Sequence, residues 1–182
     1  MNRRLGLIVA ALVAYALVVR LLPHPANFAP LMALAIFSGA KLPKGYAIGA
    51  VLAAAVLSDA IVGLYDLPVM LVVWACYVAA MLASHCWLKR LTLLRAGTVT
   101  LASSVFFFVI TNLAVWAFGD LYPRTIAGLQ HCFILALPFF RNSLASDIFY
   151  TVALFGVAEW LSLLSRRTSA TPIWKFMLRT AA

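Results

Sequence analysis

The chain has 182 residues, 65% of them hydrophobic and 10% charged, against roughly 45–50% and about 25% in soluble domains. At a mean hydropathy of +1.03 a soluble domain of this size has no interior large enough for so much apolar surface, and disorder, collagen, a coiled coil and a disulfide scaffold are excluded by the same figures. The net charge of +9 suits the cytoplasmic loops of a membrane protein rather than a nucleic-acid surface.

The apolar residues fall in blocks, the pattern of an all-α polytopic membrane protein with six transmembrane helices. Arg3 and Arg4 precede the first, at about 5–22. With no small-residue cleavage site before a soluble domain, it reads as a retained helix, not a signal peptide. Pro23, Pro25 and Pro30 punctuate the way to a second helix at about 29–41, too short to cross a ~30 Å core upright and expected to be broken or surrounded by protein. Pro43 and Gly45 open helix 3 at about 45–64, Pro68 helix 4 at about 68–88, and Gly97 helix 5 at about 97–119. The segment 121–140 is too long for a turn. Its apolar part, Cys132 to Phe140, is too short to span and carries Pro138, so a re-entrant or interfacial loop is expected before helix 6 at about 142–164. A basic tail, 166–182, with Trp174, Phe176 and Met177, is expected on an anionic inner surface. No repeat or linker divides the chain, which reads as a single transmembrane domain, 1–182.

Charge sets the orientation. With both termini inside, the inner segments hold Arg3, Arg4, Lys41, Lys44, Lys89, Arg90, Arg95, Arg166, Arg167, Lys175 and Arg179. The outer ones hold only Arg20, Arg124 and Arg141. Eleven against three is a strong positive-inside bias.

Depth then sorts the polar residues. At ~1.5 Å per residue, Asp59 lies roughly 8–9 Å below the outer end of helix 3, and Asp147 roughly as far into helix 6. Asn112 lies roughly 10 Å into helix 5 and Cys76 roughly 12 Å into helix 4, with Arg141 at the outer mouth. Ionisable groups inside a span point to function by default. Their shared depth reads as a cavity open to the outside. Taken singly, Asp59 with Ser58 and Asn112 with Thr111 read equally well as interhelical hydrogen bonds. Likewise Cys76 reads as a small core hydrophobe, His24 as a surface or capping residue, and Arg141 as an ion-pair partner of Asp147 or Asp120. Small-xxx-small pairs recur at Ala10/Ala14, Gly45/Gly49, Ala50/Ala54 and Ala79/Ala83.

Chemistry-bearing motifs are missing. There is no Walker A, HExxH or GxSxG sequence. Five scattered carboxylates make no two-metal site, and the three cysteines Cys76, Cys86 and Cys132 form no CxxC. Binding or transport is the default, with His131 and Cys132 a rival metal-ligand pair.

The stretches RLLPHPANFAPLMALAIFSGA (20–40), LSDAIVGLY (57–65), VWACY (73–77), FFFVITNLAVWAFGDLYPRTIAGL (106–129) and ALPFFRNSLASDIFY (136–150) resemble the BtuM family. These are small bacterial vitamin B12 transporters related to the substrate-binding S components of energy-coupling-factor (ECF) transporters. The resemblance covers nearly the whole chain, and the cysteine of helix 4 favours BtuM within a broader group sharing the PHPxNF loop. It implies a multi-pass protein of the bacterial cytoplasmic membrane with cobalamin as substrate in an outer cavity. It also implies Cys76 as axial cobalt ligand and a protein that works without a dedicated energising module, while the S-component relationship leaves open docking of an ECF module on helix 1 through Ala10 and Ala14. A metal-bound thiol is deprotonated, and thiolate is a suitable donor for corrin cobalt. Electron density pushed through cobalt weakens a cyanide opposite, so Cys76 is also expected to promote decyanation of cyanocobalamin, the one catalytic role expected here. Arg141 is expected on the nucleotide-loop phosphate or a corrin amide, and Asp59, Asn112 and Asp147 on corrin amides. Tyr77, His24 and Asn27 are expected at the mouth. No nucleic acid and no other cofactor is expected. The alternatives are an S component for another vitamin or a metal ion, a membrane enzyme acting on a corrin, and a non-transporting membrane scaffold, which predicts a filled core.

Overall fold

The computed structural model describes residues 3–167, which form six helices and, among the described residues, no strand. They are α1 (Arg3–Leu21), α2 (Leu31–Lys41), α3 (Lys44–Val62), α4 (Leu67–Trp87), α5 (Leu93–Phe118) and α6 (Ile126–Arg167). All but α2 are long and apolar enough to cross a membrane, which marks a membrane protein.

The bundle is built around its shortest member. Every residue of α2 from Leu31 to Gly39 is buried, because a helix apolar on all sides is stable only where other elements surround it. Helices α3, α4, α5 and α6 supply that surround. The closest approach is to α4, where a Cβ on Gly39 would collide with the Met81 carbonyl oxygen. Beside it the Ser84 hydroxyl donates to the Ile36 carbonyl, and His85 Nδ1 lies 3.1 Å from the Gly39 carbonyl. A small residue flanked by side chain–backbone hydrogen bonds is how helices pack tightly where water is absent. On α3 the pair Ala50/Ala54 is buried against the core, while Gly45 and Gly49 have open space beside them. Ala10 and Ala14 lie on the exposed face of α1 with Leu7 and Val18.

Two elements differ from the sequence expectation. Helix α5 begins at Leu93, a turn before Gly97. Thr92 caps it, its hydroxyl accepting from the Arg95 N–H at 3.2 Å, and an open helical glycine costs only about 1 kcal/mol. The larger correction concerns 121–140, expected as a re-entrant or interfacial loop before a helix at 142–164. The chain is instead helical from Ile126, running through Pro138 to Arg167 as one helix of 42 residues. Pro138 forfeits a single ladder bond, to the Ile134 carbonyl. Unwinding the whole apolar stretch would strand many backbone groups with no water to satisfy them.

At ~1.5 Å per residue α6 is ~63 Å long, about twice the thickness of a bilayer core, and it does not lie straight along α5. Cys132 meets Asn112 and Asp147 meets Ser104, so 15 residues of α6 oppose 8 of α5. The surplus is taken up around Pro138, where Phe108 packs against both Phe133 and Phe140 and proline relaxes the helical ladder. Residues 168–182, most of the expected basic tail, lie outside the described residues.

Candidate functional site

A cavity of about 400 Å³ opens between α4, α5 and α6 at the end of the bundle where α1 finishes. Its walls follow helical periodicity. Ser104, Phe107, Phe108, Thr111, Asn112 and Val115 come from one face of α5. Ala136, Phe139, Phe140, Ser143 and Asp147 come from one face of α6, and Val69, Val73 and Tyr77 from α4. Each set recurs at three- and four-residue intervals, the spacing of one helix face. Residues on both sides of Pro138 line the cavity, so the segment expected to be a loop forms a wall. Tyr77 stacks on Phe107 with centroids 5.1 Å apart at 28°, and Phe108 lies 4.6 Å from Phe140.

Two charged groups at the mouth neutralise each other. Arg20 Nη2 lies 2.9 Å from Asp59 Oδ1, and Arg20 Nη1 donates to the Ser58 hydroxyl at 2.7 Å. Trp74 Nε1–H donates to the other oxygen of Asp59 at 2.8 Å. Asp59 is 3% exposed and Arg20 22%, so the carboxylate is a desolvated charge held by a partner that still reaches water. Tyr65, in the loop between α3 and α4, also lines the cavity. Desolvation and the charge of Asp59 push its phenol up to about 12, against a downward pull from Arg20.

Asp147 is buried as well. It is 5% exposed, and its one hydrogen bond among the described residues comes from the Ser104 hydroxyl at 2.6 Å. A further turn down, the Thr100 and Thr151 hydroxyls are 3.5 Å apart. Nearer the mouth, Asn112 donates to the Phe108 carbonyl at 2.7 Å, and Cys132 donates to the Asn112 carbonyl at 3.5 Å.

The cavity gathers Asp59, Tyr77, Asn112, Asp147 and Asn27, the last in the left-handed region at φ 60°. Three expected site residues stand apart from its wall. Cys76 is 2% exposed, directly before Tyr77 in sequence but not among the lining residues. His24 caps α1, its ring nitrogens 3.1 Å from the Arg20 carbonyl and 2.9 Å from that of Pro25. Arg141 is exposed and makes no ion pair among the described residues, and Asp147 is bonded to Ser104 instead. The His131/Cys132 pair does not converge either, since the His131 ring lies against Tyr122 while Cys132 turns to Asn112. No group of three or more His, Cys, Asp or Glu side chains is placed to hold a metal ion among the described residues.

Sequence reasoning missed Arg20, counting it only as an outer charge, and Ser104. A signal for Arg20 existed: an arginine in the last turn of an apolar helix, in a chain with intramembrane carboxylates, has a natural partner at equal depth. Ser104 had none, because one hydroxyl in an apolar helix is as often satisfied by its own backbone.

A family model described as a family of unknown function, DUF6580, matches residues 1–171, and the chain belongs to that family. No curated protein and no solved structure matches it.

Proposed function

We propose that this member of the DUF6580 family is a solute-binding transport protein of a bacterial cytoplasmic membrane, with six spans and both termini inside. It captures its solute from the outer side in the cavity between α4, α5 and α6. The observation that carries this reading is the cavity itself, with Asn27, Tyr77, Asn112 and Asp147 in its walls, in the half of the bundle where positive-inside bias puts the exterior. A scaffold with a filled core has no use for such a space, and polar side chains exposed to it at membrane depth are expensive without a ligand.

The solute we propose is cobalamin, on the strength of the BtuM-like stretches. That choice makes a structural demand. Cavities of about 300–1,000 Å³ suit drug-sized ligands, and about 400 Å³ is small for a corrinoid. Cobalamin binding therefore requires the Tyr77–Phe107 stack to part, widening the cavity and bringing Cys76, the neighbour of Tyr77, to the cobalt. The Ala10/Ala14 face of α1 is exposed and is where an energising module would dock in members that use one; no such module is part of this proposal. The present cavity volume favours a second reading, an S component for a smaller solute.

The test is purification of wild type and Cys76→Ala in cyanocobalamin. A corrin spectrum that copurifies with wild type, shows loss of cyanide and changes in Cys76→Ala supports cobalamin. Identical spectra remove the cysteine role, and no copurifying corrin leaves the smaller solute.

A further inference from the structure

Asp147 has a property its neighbours lack. Arg20 is committed to Asp59 and Ser58, so among the described residues the one cationic side chain lining the cavity is spent on its other carboxylate. The remaining charged or titratable groups facing the cavity are the phenols Tyr65 and Tyr77, while α5 presents only hydroxyls and the Asn112 amide. On α6 itself Arg141 points to the surface and Tyr150 is buried. Among the described residues Asp147 thus has a hydroxyl for company and no counter-charge. A carboxylate in that setting is far more stable with a cation or a proton than without.

Its position is also suggestive of passage. Below Asp147 the α6 face continues with Thr151, Phe155 and Glu159, each four residues on. Thr151 adjoins Thr100 of α5. The way onward is closed by the Phe155 ring against Phe37 at 5.2 Å, with Lys41 Nζ 5.9 Å from the Phe155 centroid. Asp147 therefore faces the cavity, and two turns further along α6 the Phe37–Phe155 contact lies in the packed core between it and the opposite end.

We propose that Asp147 is a proton-binding site that couples uptake to the proton gradient. The carboxylate takes a proton from outer water through the cavity and becomes a neutral acid. It gives that proton to inner water when the Phe37–Phe155 contact opens. This rests on the reading of the cavity as a transport site, and it goes beyond that reading by naming the energy source.

Two measurements test it. The first is infrared spectroscopy of purified protein, which needs no solute. A protonated-carboxyl band that disappears on raising the pH, is absent in Asp147→Asn and is shifted in Asp147→Glu is the expected result. Asn preserves an acceptor for Ser104, so its bundle remains paired. A band absent at every pH, or unchanged in Asp147→Asn, overturns the proposal. The second is uptake of cyanocobalamin into proteoliposomes. One coupled proton supports about a tenfold accumulation per pH unit, since a pH unit is worth 1.36 kcal/mol. Wild-type uptake is expected to follow the gradient, and any uptake by Asp147→Asn that still follows it overturns the proposal. Uptake that follows sodium instead overturns the proton assignment. Absence of uptake alongside a titrating Asp147 band strikes the cobalamin reading and leaves the proton site standing.

Discussion

Removing the Arg20 guanidinium is expected to cost far more than its exposed end suggests. The Arg20–Asp59 pair, at 2.9 Å, has a gross Coulomb attraction of about 6 kcal/mol at an effective dielectric near 20, an upper limit before desolvation is subtracted. Breaking a buried pair from one side costs about 3–5 kcal/mol, because the survivor is an uncompensated charge. Here the outcome depends on which side is removed. In Arg20→Ala the survivor is Asp59, 3% exposed and left with only the Trp74 N–H. In Asp59→Asn the survivor is Arg20, which still has the Ser58 hydroxyl and water. We expect a loss of about 3 kcal/mol for Arg20→Ala, about 1–2 kcal/mol for Asp59→Asn, and a coupling of about 1–2 kcal/mol in the double variant. Equilibrium unfolding in mixed micelles of mild detergent and dodecyl sulfate, followed by tryptophan fluorescence, reads all three. If Asp59→Asn is the more damaging, or the two losses simply add, the asymmetric-burial reasoning is refuted.

Three more outcomes are expected. Gly39→Ala drives a methyl into the Met81 carbonyl and should lower stability by about 1–3 kcal/mol. Gly49→Ala, with open space beside it, should be neutral or stabilising by about 0.5–1 kcal/mol; thermal unfolding of the pair in detergent separates them, and equal effects contradict the close α2–α4 approach. Ser104→Ala deprives Asp147 of its hydrogen-bond donor and should cost about 1–3 kcal/mol by the same unfolding assay, with an unchanged stability contradicting that bond. Tyr65 should lose its proton at about 12, above an ordinary phenol. Folding favours its protonated form, so that contribution is complete below the unfolded value near 10 and fades as pH rises toward 12. The ultraviolet difference titration of wild type minus Tyr65→Phe should have its midpoint near 12, and a midpoint near 10 contradicts an effect of partial desolvation and the Asp59 charge on this part-exposed phenol.

What the sequence determined by itself follows from local chemistry. Apolar blocks of membrane length, broken at Pro23, Pro30, Pro43 and Pro68, leave helices as the one way to satisfy the backbone, so helix content and the shortness of α2 are readable without coordinates. Depth is also a local quantity, residues counted from a helix end, and Asp59, Asn112 and Asp147 all line the cavity. But the expected end of helix 6 at 142 lies inside α6, so Asp147 sits beside Ser104, eight residues along α5 from Asn112, and not in its layer. Tertiary structure decided everything that depends on rotation and partnership. Cys76 and Tyr77 are adjacent in the chain, yet only Tyr77 lines the cavity, because about 100° of helical rotation separates them. Which cation meets Asp59 depends on how α1 lies against α3, and no count along the chain supplies that. Pro138 shows the same division. The proline is visible in the sequence, but whether it ends a helix or only bends one depends on whether α5 offers a wall to bend around. Phe108, packed against both Phe133 and Phe140, is that wall.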